Sequence, residues 1–484
     1  MHSNKKSVIL LKIINFLLAI FFFVLIFKVF TLFSGFPSTD YSSHMASTVF
    51  LERYGFHGVV ENLYNGFVLF QLYPPGFFFF ELLLFKLTNN IVLSFLISIA
   101  IMFSGAIILF FFIGKELKLK VEEKPFLFLF AFTSFPIITN FFFGRLQEIL
   151  SWILFLAGIL ILIHYKEKKL ETKFFISFTF LLSIFILIYP KILILFFINL
   201  LGFFLIKNKK DKLIITATVF LSLLLTSFWW VPSILNFQNL SLPEYNFFLL
   251  YYLKNPSIIL TNIIPFIYFT GYLFFSIFAG WKFFQYRKDS HLQPILLFSF
   301  LCFSFAILLI PLMKYIDPFS ISFFFLINTL ILFVKEKNFI EKNSFKLFIF
   351  VSITLSLIAL IGLPFFTRDA LSPPFKLLEE TDSRFAVISD NFQLNLDLYA
   401  YSAIFYDLST PFGWKTELQS KESEALMHSL SPLCKANSCS ELKSAFKKIN
   451  AEEIISNDAC CNSLTQCNFT IKKQIQNWCL VSVK

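Results

Sequence analysis

The chain has 484 residues, of which 57% are hydrophobic and 20% aromatic, including 74 phenylalanines, and its mean hydropathy is +0.74. No soluble core hides that much apolar surface, so a water-soluble enzyme is excluded and a polytopic membrane protein is expected. The formal charge of +11 gives no support to nucleic-acid binding, because the basic residues cluster between apolar stretches and form no stripe interleaved with stacking aromatics.

In chain order, a short basic leader with Lys5 and Lys6 precedes the first apolar stretch, near residues 8 to 34. It is too long for a signal-peptide core and lacks a small-residue cleavage site, so it reads as a retained helix. Further stretches long enough to span lie near 91 to 114, 125 to 143, 149 to 164, 174 to 190, 192 to 206, 213 to 234, 258 to 281, 294 to 312, 319 to 334 and 346 to 366. That predicts about eleven transmembrane helices, several at or below the usual ~17 to 25 residues.

Lys and Arg near helix ends mark the cytoplasmic side. They gather in the leader and at 115 to 124, 166 to 173, 207 to 212, 282 to 288 and 335 to 346, whereas the alternate loops hold only Arg53, Lys86, Arg145, Lys191, Lys254 and Lys314. The alternation works only if the apolar stretch from Phe67 to Leu87 does not cross. Its Tyr73-Pro74-Pro75-Gly76 break agrees, since proline removes an amide donor and restricts the residue before it. Residues 35 to 90 therefore read as one long outer loop, with a short interfacial helix over Phe77 to Leu87 that turns Glu81 and Lys86 to water or protein.

The N-terminus is then cytoplasmic, residues 1 to 366 form a transmembrane domain, and residues 367 to 484 form an extracytoplasmic soluble domain. Six of the seven cysteines fall in this tail, namely Cys434, Cys439, Cys460, Cys461, Cys467 and Cys479. An even set in an exported segment predicts up to three disulfides; zinc is the alternative, with neither a Cys-x-x-Cys pair nor paired histidines to favour it. Strand patterns at Phe385 to Ser389, Glu453 to Ser456 and Cys479 to Val483, with a helical one around Glu441 to Ile449, predict a small α/β fold.

Asp40 is one of few carboxylates in the membrane half and lies just past the first hydrophobic stretch, where an ionisable group is a site candidate by default. The plainer reading is a helix cap for the segment from Tyr41 to Tyr54. His44, four residues on, shares its helical face. Trp229-Trp230 reads as an interfacial belt, Trp414 as a packing or carbohydrate-contact residue, and Asn239 and Asn468 open glycosylation-type triplets.

A single N-terminal helix, an outer loop opening on an acid, and a Tyr-Pro-Pro segment resemble the polyprenyl-phosphate-sugar-dependent glycosyltransferases of the GT-C superfamily. Asp40-x-x-x-His44, Gly55, Tyr73-Pro74-Pro75-Gly76 and Gly144-Arg145-Leu146-Gln147-Glu148 are similar to a subgroup of prokaryotic integral membrane proteins often labelled 6-pyruvoyl-tetrahydropterin-synthase-related, a label that implies no pterin chemistry. Ser383-Arg384-Phe385 and Thr410-Pro-Phe-Gly-Trp414 look like that subgroup's post-membrane domain.

The resemblance implies an all-α GT-C-like membrane fold in a bacterial cytoplasmic membrane. It implies transfer of a sugar from a polyprenyl-phosphate donor to a glycan, glycolipid or protein acceptor on the outer face. Asp40 would act as base or bind a divalent metal, Mg²⁺ or Mn²⁺, with His44 and Glu148 as further possible ligands. Tyr73 and His44 would contact substrate, Arg145 phosphate or sugar, Glu148 sugar or metal, and Lys191 the lipid phosphate or, equally, membrane headgroups. Arg145 and Glu148 also have the spacing of a plain intrahelical ion pair, and Glu244 and Asp317 are further acids on the same side. The rival readings are a transporter or flippase, for which Tyr189-Pro190-Lys191 would be a broken helix, and a non-catalytic envelope-assembly protein.

Overall fold

A computed structural model describes residues 2–64, 66–71, 73–119, 135–235, 367–413 and 421–483, with single positions between 320 and 361. The chain is mostly helical, with a small sheet near its C-terminus. It divides into two units, one of Met1–Lys28, Ile99–Trp230 and Leu242–Pro364, the other of Val29–Ser98, Val231–Ser241 and Phe365–Lys484.

Helix α1 covers His2–Phe33, followed by a two-residue strand β1 (Phe36–Pro37), α2 (Asp40–Tyr54), the small hairpin β2 (Val59–Val60) and β3 (Phe67–Val68), then α3 (Gly76–Thr88) and α4 (Ile91–Glu116). Then come α5 (Phe135–Phe142), α6 (Leu146–His164), α7 (Thr172–Ile188), α8 (Pro190–Ile206), α9 (Lys209–Leu225) and α10 (Ser227–Leu235), of which α5 to α9 belong to the first unit together with α1 up to Lys28 and α4 from Ile99. Among the described residues, α4 and α6 are long and apolar enough to cross a membrane, and α9 with α10 makes a third if the 68° bend between them lies within one span. The stretches expected at 258 to 281 and 294 to 312 lie outside the described residues, as do most of those at 125 to 143, 319 to 334 and 346 to 366. Glu244, Asp317, Trp414 and Asn239 lie outside them too.

The membrane-type unit packs through aromatic side chains, because long apolar helices with few small residues meet by interlocking rings. Phe155 of α6 stands edge-on to Phe196 of α8, which also meets Phe178 and Phe185 of α7. Gly158 is what lets α6 and α8 approach, since a Cβ there would strike the Phe196 ring. Where α8 ends, Lys207 Nζ donates to the carbonyls of Tyr165, Lys166 and Lys168 at 2.6, 3.1 and 2.7 Å, tying one basic turn to another.

In the other unit, α2 lies between α3 and a helix of the tail. The polar side chains of α2 make this possible by bonding back along the helix: Ser43 to Asp40 O, Ser47 to Ser43 O and Thr48 to His44 O. α2 is buried from Tyr41 through Leu51 although its sequence carries no apolar stripe. α3 buries Phe77, Phe78, Glu81 and Leu84 and exposes Phe79, Leu83 and Leu87. The helix predicted at Phe77 to Leu87 is therefore present, with Glu81 turned into protein and Lys86 paired at the surface with Glu52.

The tail opens on β4 (Thr367–Arg368), which pairs antiparallel with β1, Phe36 opposite Arg368. Gly35 permits this, because a Cβ there would sit 2.8 Å from Arg368 O. Then follow a short helix α11 (Pro373–Leu377), β5 (Phe385–Ile388), α12 (Phe392–Phe405), α13 (Lys421–Lys435), α14 (Cys439–Ile449), β6 (Glu453–Asn457), α15 (Asp458–Gln466), β7 (Thr470–Ile475) and β8 (Trp478–Ser482). The sheet order is β5-β6-β8-β7, with β5 and β6 parallel and the other pairs antiparallel. The three predicted strands and the helix near 441 to 449 are all present. β7 lacked a strand pattern because Lys472, Lys473 and Gln474 interrupt it; it is an exposed edge strand, where such lysines also discourage pairing with another chain.

All six tail cysteines are paired, Cys434 with Cys460, Cys439 with Cys467 and Cys461 with Cys479, across Cα separations of 5.2 to 6.0 Å. The zinc alternative gives way, since these thiols hold α13, α14, α15 and β8 together. Peptide mapping without reductant is expected to recover these three pairs and no others. Replacing Cys439 and Cys467 by Ser should cost about 2 to 5 kcal/mol of tail stability, read by chemical denaturation.

Glu81 generates a second expectation. It is fully buried, and neither carboxylate oxygen has a hydrogen-bond partner among the described residues. The Ser98 hydroxyl pulls weakly toward the ionised form, but its proton is directed to Phe95 O. Burial therefore dominates and raises the Glu81 pKa from 4.5 to about 8. The folded state then binds a proton that the unfolded chain releases, so stability is full below pH 4.5 and falls as pH rises toward about 8. Glu81→Gln should flatten the fall in melting temperature between pH 6 and 9; an unchanged slope would assign the pH dependence to other groups.

Candidate functional site

Asp40 is the first residue of α2, and its negative charge suits the positive end of the helix dipole. The cap position falls one residue earlier, on Thr39, whose side chain makes no capping bond. Thr39-Asp40 therefore begins the helix, as the plainer reading has it, with Thr39 at the cap and Asp40 in the first turn. Thr39 itself holds φ 63° and ψ −139°, a left-handed conformation unusual for a β-branched residue. Strain of this kind costs roughly 1 to 3 kcal/mol and persists where surrounding structure enforces it, commonly at functional sites.

A carboxylate from the tail bonds to the residues on either side of this turn. Asp397 of α12 has no exposure and accepts from Ser38 Oγ at 2.6 Å and Ser42 Oγ at 3.2 Å, on either side of Asp40. Arg368 Nε donates to it at 2.7 Å and Gln393 Nε2 at 3.1 Å. Burial pushes the Asp397 carboxyl above its ordinary range, opposed by the Ser38 hydroxyl and the Arg368 guanidinium. Sequence reading missed this group. The available signal was an acid enclosed by Leu394, Leu396 and Leu398, where a charge is retained only with partners.

His44 is buried one turn along α2, 2% exposed, with Nε2 3.3 Å from the Tyr73 hydroxyl and its ring against Phe77 and Phe78. The structure thus brings together two of the predicted site residues, His44 and Tyr73, beside the helix turn that starts with Asp40. At the other end of α2, Arg53 donates to the carbonyls of Ala403 and Ile404, both at 2.8 Å, and to Asp407 at 3.0 Å, fastening α2 to the end of α12. The motif residues around 410 belong to the same unit: Thr410 N donates to Asn62 O at 2.7 Å, and a Cβ on Gly413 would strike Tyr64. Arg384 is structural, bonded to Ser409 Oγ and Ile449 O.

The remaining predicted residues form a second group in the other unit. Gly144, at φ 75°, makes the turn that starts α6. Arg145 Nη1 stands 4.0 Å from Glu148 Oε1, so the intrahelical pair foreseen as the plain reading is present. The same Glu148 oxygen accepts from the Tyr189 hydroxyl at 2.8 Å, and Lys191 Nζ lies 5.7 Å from the Tyr189 ring centre. Arg145, Glu148, Tyr189 and Lys191 are therefore neighbours, drawn from α6 and from the junction of α7 and α8. That junction is a single extended residue, Tyr189, between two separate 17-residue helices.

Among the described residues no group of three or more His, Cys, Asp or Glu side chains is gathered as a metal would require. Asp40, His44 and Glu148 do not make such a set.

No protein-family model matches the chain, and no curated protein does. Solved structures give a distant likeness. The oligosaccharyltransferase of Archaeoglobus fulgidus, crystallised with Zn and sulfate, aligns over 87% of this chain and 64% of its own, at 9% identity and a TM-score of 0.49. The oligosaccharyltransferase AglB of Archaeoglobus fulgidus, in complex with an inhibitory peptide and a dolichol-phosphate, aligns over 90% and 67%, at 8% identity and the same score. The chain thus spans about two thirds of their length or less. A likeness at this level transfers no activity, donor or acceptor.

Tyr189→Phe leaves Glu148 with one donor fewer and is expected to destabilise the helical unit by about 1 kcal/mol, read as a lowered melting temperature in detergent. Tyr73→Phe should have a similarly small effect through His44.

Proposed function

We propose that this protein is a membrane glycosyltransferase that moves a sugar from a polyprenyl-phosphate donor to a glycan, glycolipid or protein acceptor on the outer face. The observation that carries the reading is Asp40: a carboxylate at the start of a buried polar helix, preceded by a strained residue. The motif order from Asp40 through Tyr73 to Glu148 agrees with it.

In this reading the Asp40 carboxylate takes the proton of an acceptor hydroxyl as that oxygen bonds to the anomeric carbon, and the bond from that carbon to the lipid phosphate breaks. His44 and Tyr73, already hydrogen-bonded to each other, orient the sugar. For Arg145 and Lys191 the resemblance further implies phosphate contact, and for Glu148 sugar contact; these three residues belong to the other unit. A carboxylate such as Asp40 is the kind of donor that Mg²⁺ or Mn²⁺ prefers, but no gathered set of three ligands is present among the described residues.

The test is mass spectrometry of glycolipids and surface glycans from cells carrying wild type, Asp40→Asn or no protein, at equal membrane abundance. A defined sugar mass should vanish in the deletion and fall at least ~100-fold in Asp40→Asn. Full retention of that mass in Asp40→Asn would sink the reading in favour of an assembly protein or a transporter.

A further inference from the structure

The region around Asp397 remains unexplained by the mechanism, although it is the most densely bonded buried carboxylate among the described residues. Four side chains converge on it, and their positions in the chain are informative. Ser38 and Ser42 bracket Asp40 at two residues to either side, while Arg368 and Gln393 come from the tail. The β1–β4 pairing brings Arg368 to the site by setting it opposite Phe36, two residues before Ser38.

A carboxylate buried to this degree is retained only where its acceptors are filled, and here the shortest bond comes from Ser38, two residues before Asp40, while the single Ser42 proton is shared between Asp397 and Thr39 O. The same loop holds Thr39 in a conformation that an isolated chain would leave. Ser42 Oγ also lies 2.8 Å from Thr39 O, so the hydroxyl that meets Asp397 at 3.2 Å also touches the strained residue. Arg53, at the far end of α2, fastens that helix to the same helix α12 by separate bonds. Docking of α2 on the tail therefore has two anchors, and only one of them touches the Asp40 turn.

We propose that Asp397 is a positioning residue: from the C-terminal domain it fixes the Ser38–Ser42 turn and with it the direction of the Asp40 carboxylate, which makes the tail a required part of the catalytic site. This rests on the glycosyltransferase reading above. Misplacing a reacting group by about 1 Å can cost on the order of 100-fold in rate, so loss of the clamp acts on chemistry well before it acts on the fold.

The test compares full-length Asp397→Asn with Arg53→Met, which loosens the other anchor, and with Asp40→Asn, each normalised to folded protein by melting temperature and membrane abundance. Asp397→Asn should lower the Asp40-dependent sugar product about 10- to 100-fold, while Arg53→Met changes it less than about 2-fold at a comparable loss of melting temperature. In isolated membranes the loss in Asp397→Asn should fall on kcat, with the apparent KM for a polyprenyl-phosphate-sugar extract of the same cells changed less than about 2-fold, while Arg53→Met leaves both near wild type. Amide exchange over residues 38 to 44 should accelerate in Asp397→Asn alone. If Asp397→Asn does not accumulate, the Ser38→Ala, Ser42→Ala double variant loosens the same turn and is held to the same outcomes. Equal losses in Asp397→Asn and Arg53→Met would make the clamp merely structural and overturn the proposal. So would retained product in Asp397→Asn when Asp40→Asn loses it. Retained product in Asp40→Asn would overturn the underlying reading and the proposal together.

Discussion

The buried carboxylate of Asp397 is the constraint on which the arrangement around the first loop depends. A charge with no exposure is tolerable only if its acceptors are filled, and the four donors that fill them come from β4, from α12 itself and from both sides of Asp40. Remove the carboxylate and Arg368 is left partly buried without its partner, while the turn that strains Thr39 loses what holds it. The turn at Asp40 and the start of α2 meet at this one polar hub, to which the β1–β4 pairing delivers Arg368.

The rest of that unit is organised around making a polar helix burial-competent. α2 carries serines, a threonine and a histidine where an ordinary core helix would carry leucines. Their hydroxyls bond to carbonyls one turn back, which removes the desolvation cost of burying them and keeps the helix surface narrow enough for α3 and α12 to approach. His44 is satisfied differently, through Tyr73 and the rings of Phe77 and Phe78. The helical unit follows another principle, with phenylalanine rings interlocked around Gly158 and polar contacts concentrated at helix ends, as at Glu148 and Lys207.

A large part of this was legible in the residues. Strands at Phe385, Glu453 and Cys479 showed as short apolar runs because strands buried on both faces, edge strand β5 included, need apolar side chains on both. The short helix after Pro75 showed because proline fixes where a helix can begin. The pairing of Arg145 with Glu148 followed from spacing alone. β7 escaped because an edge strand is specified by its neighbour β8 and not by its own polar sequence.

By itself, then, the sequence determined the membrane class, several of the helices, three strands and a helix of the tail, and Asp40 as the acid to examine. All of these are local properties, carried by composition or by periodicity within a few turns. Only the tertiary structure decided which cysteines pair, that Asp397 closes on Ser38 and Ser42 across more than 350 positions of chain, and that Tyr189 meets Glu148. Those contacts join residues far apart in the chain, and no local pattern records a partner that only folding brings within hydrogen-bonding distance.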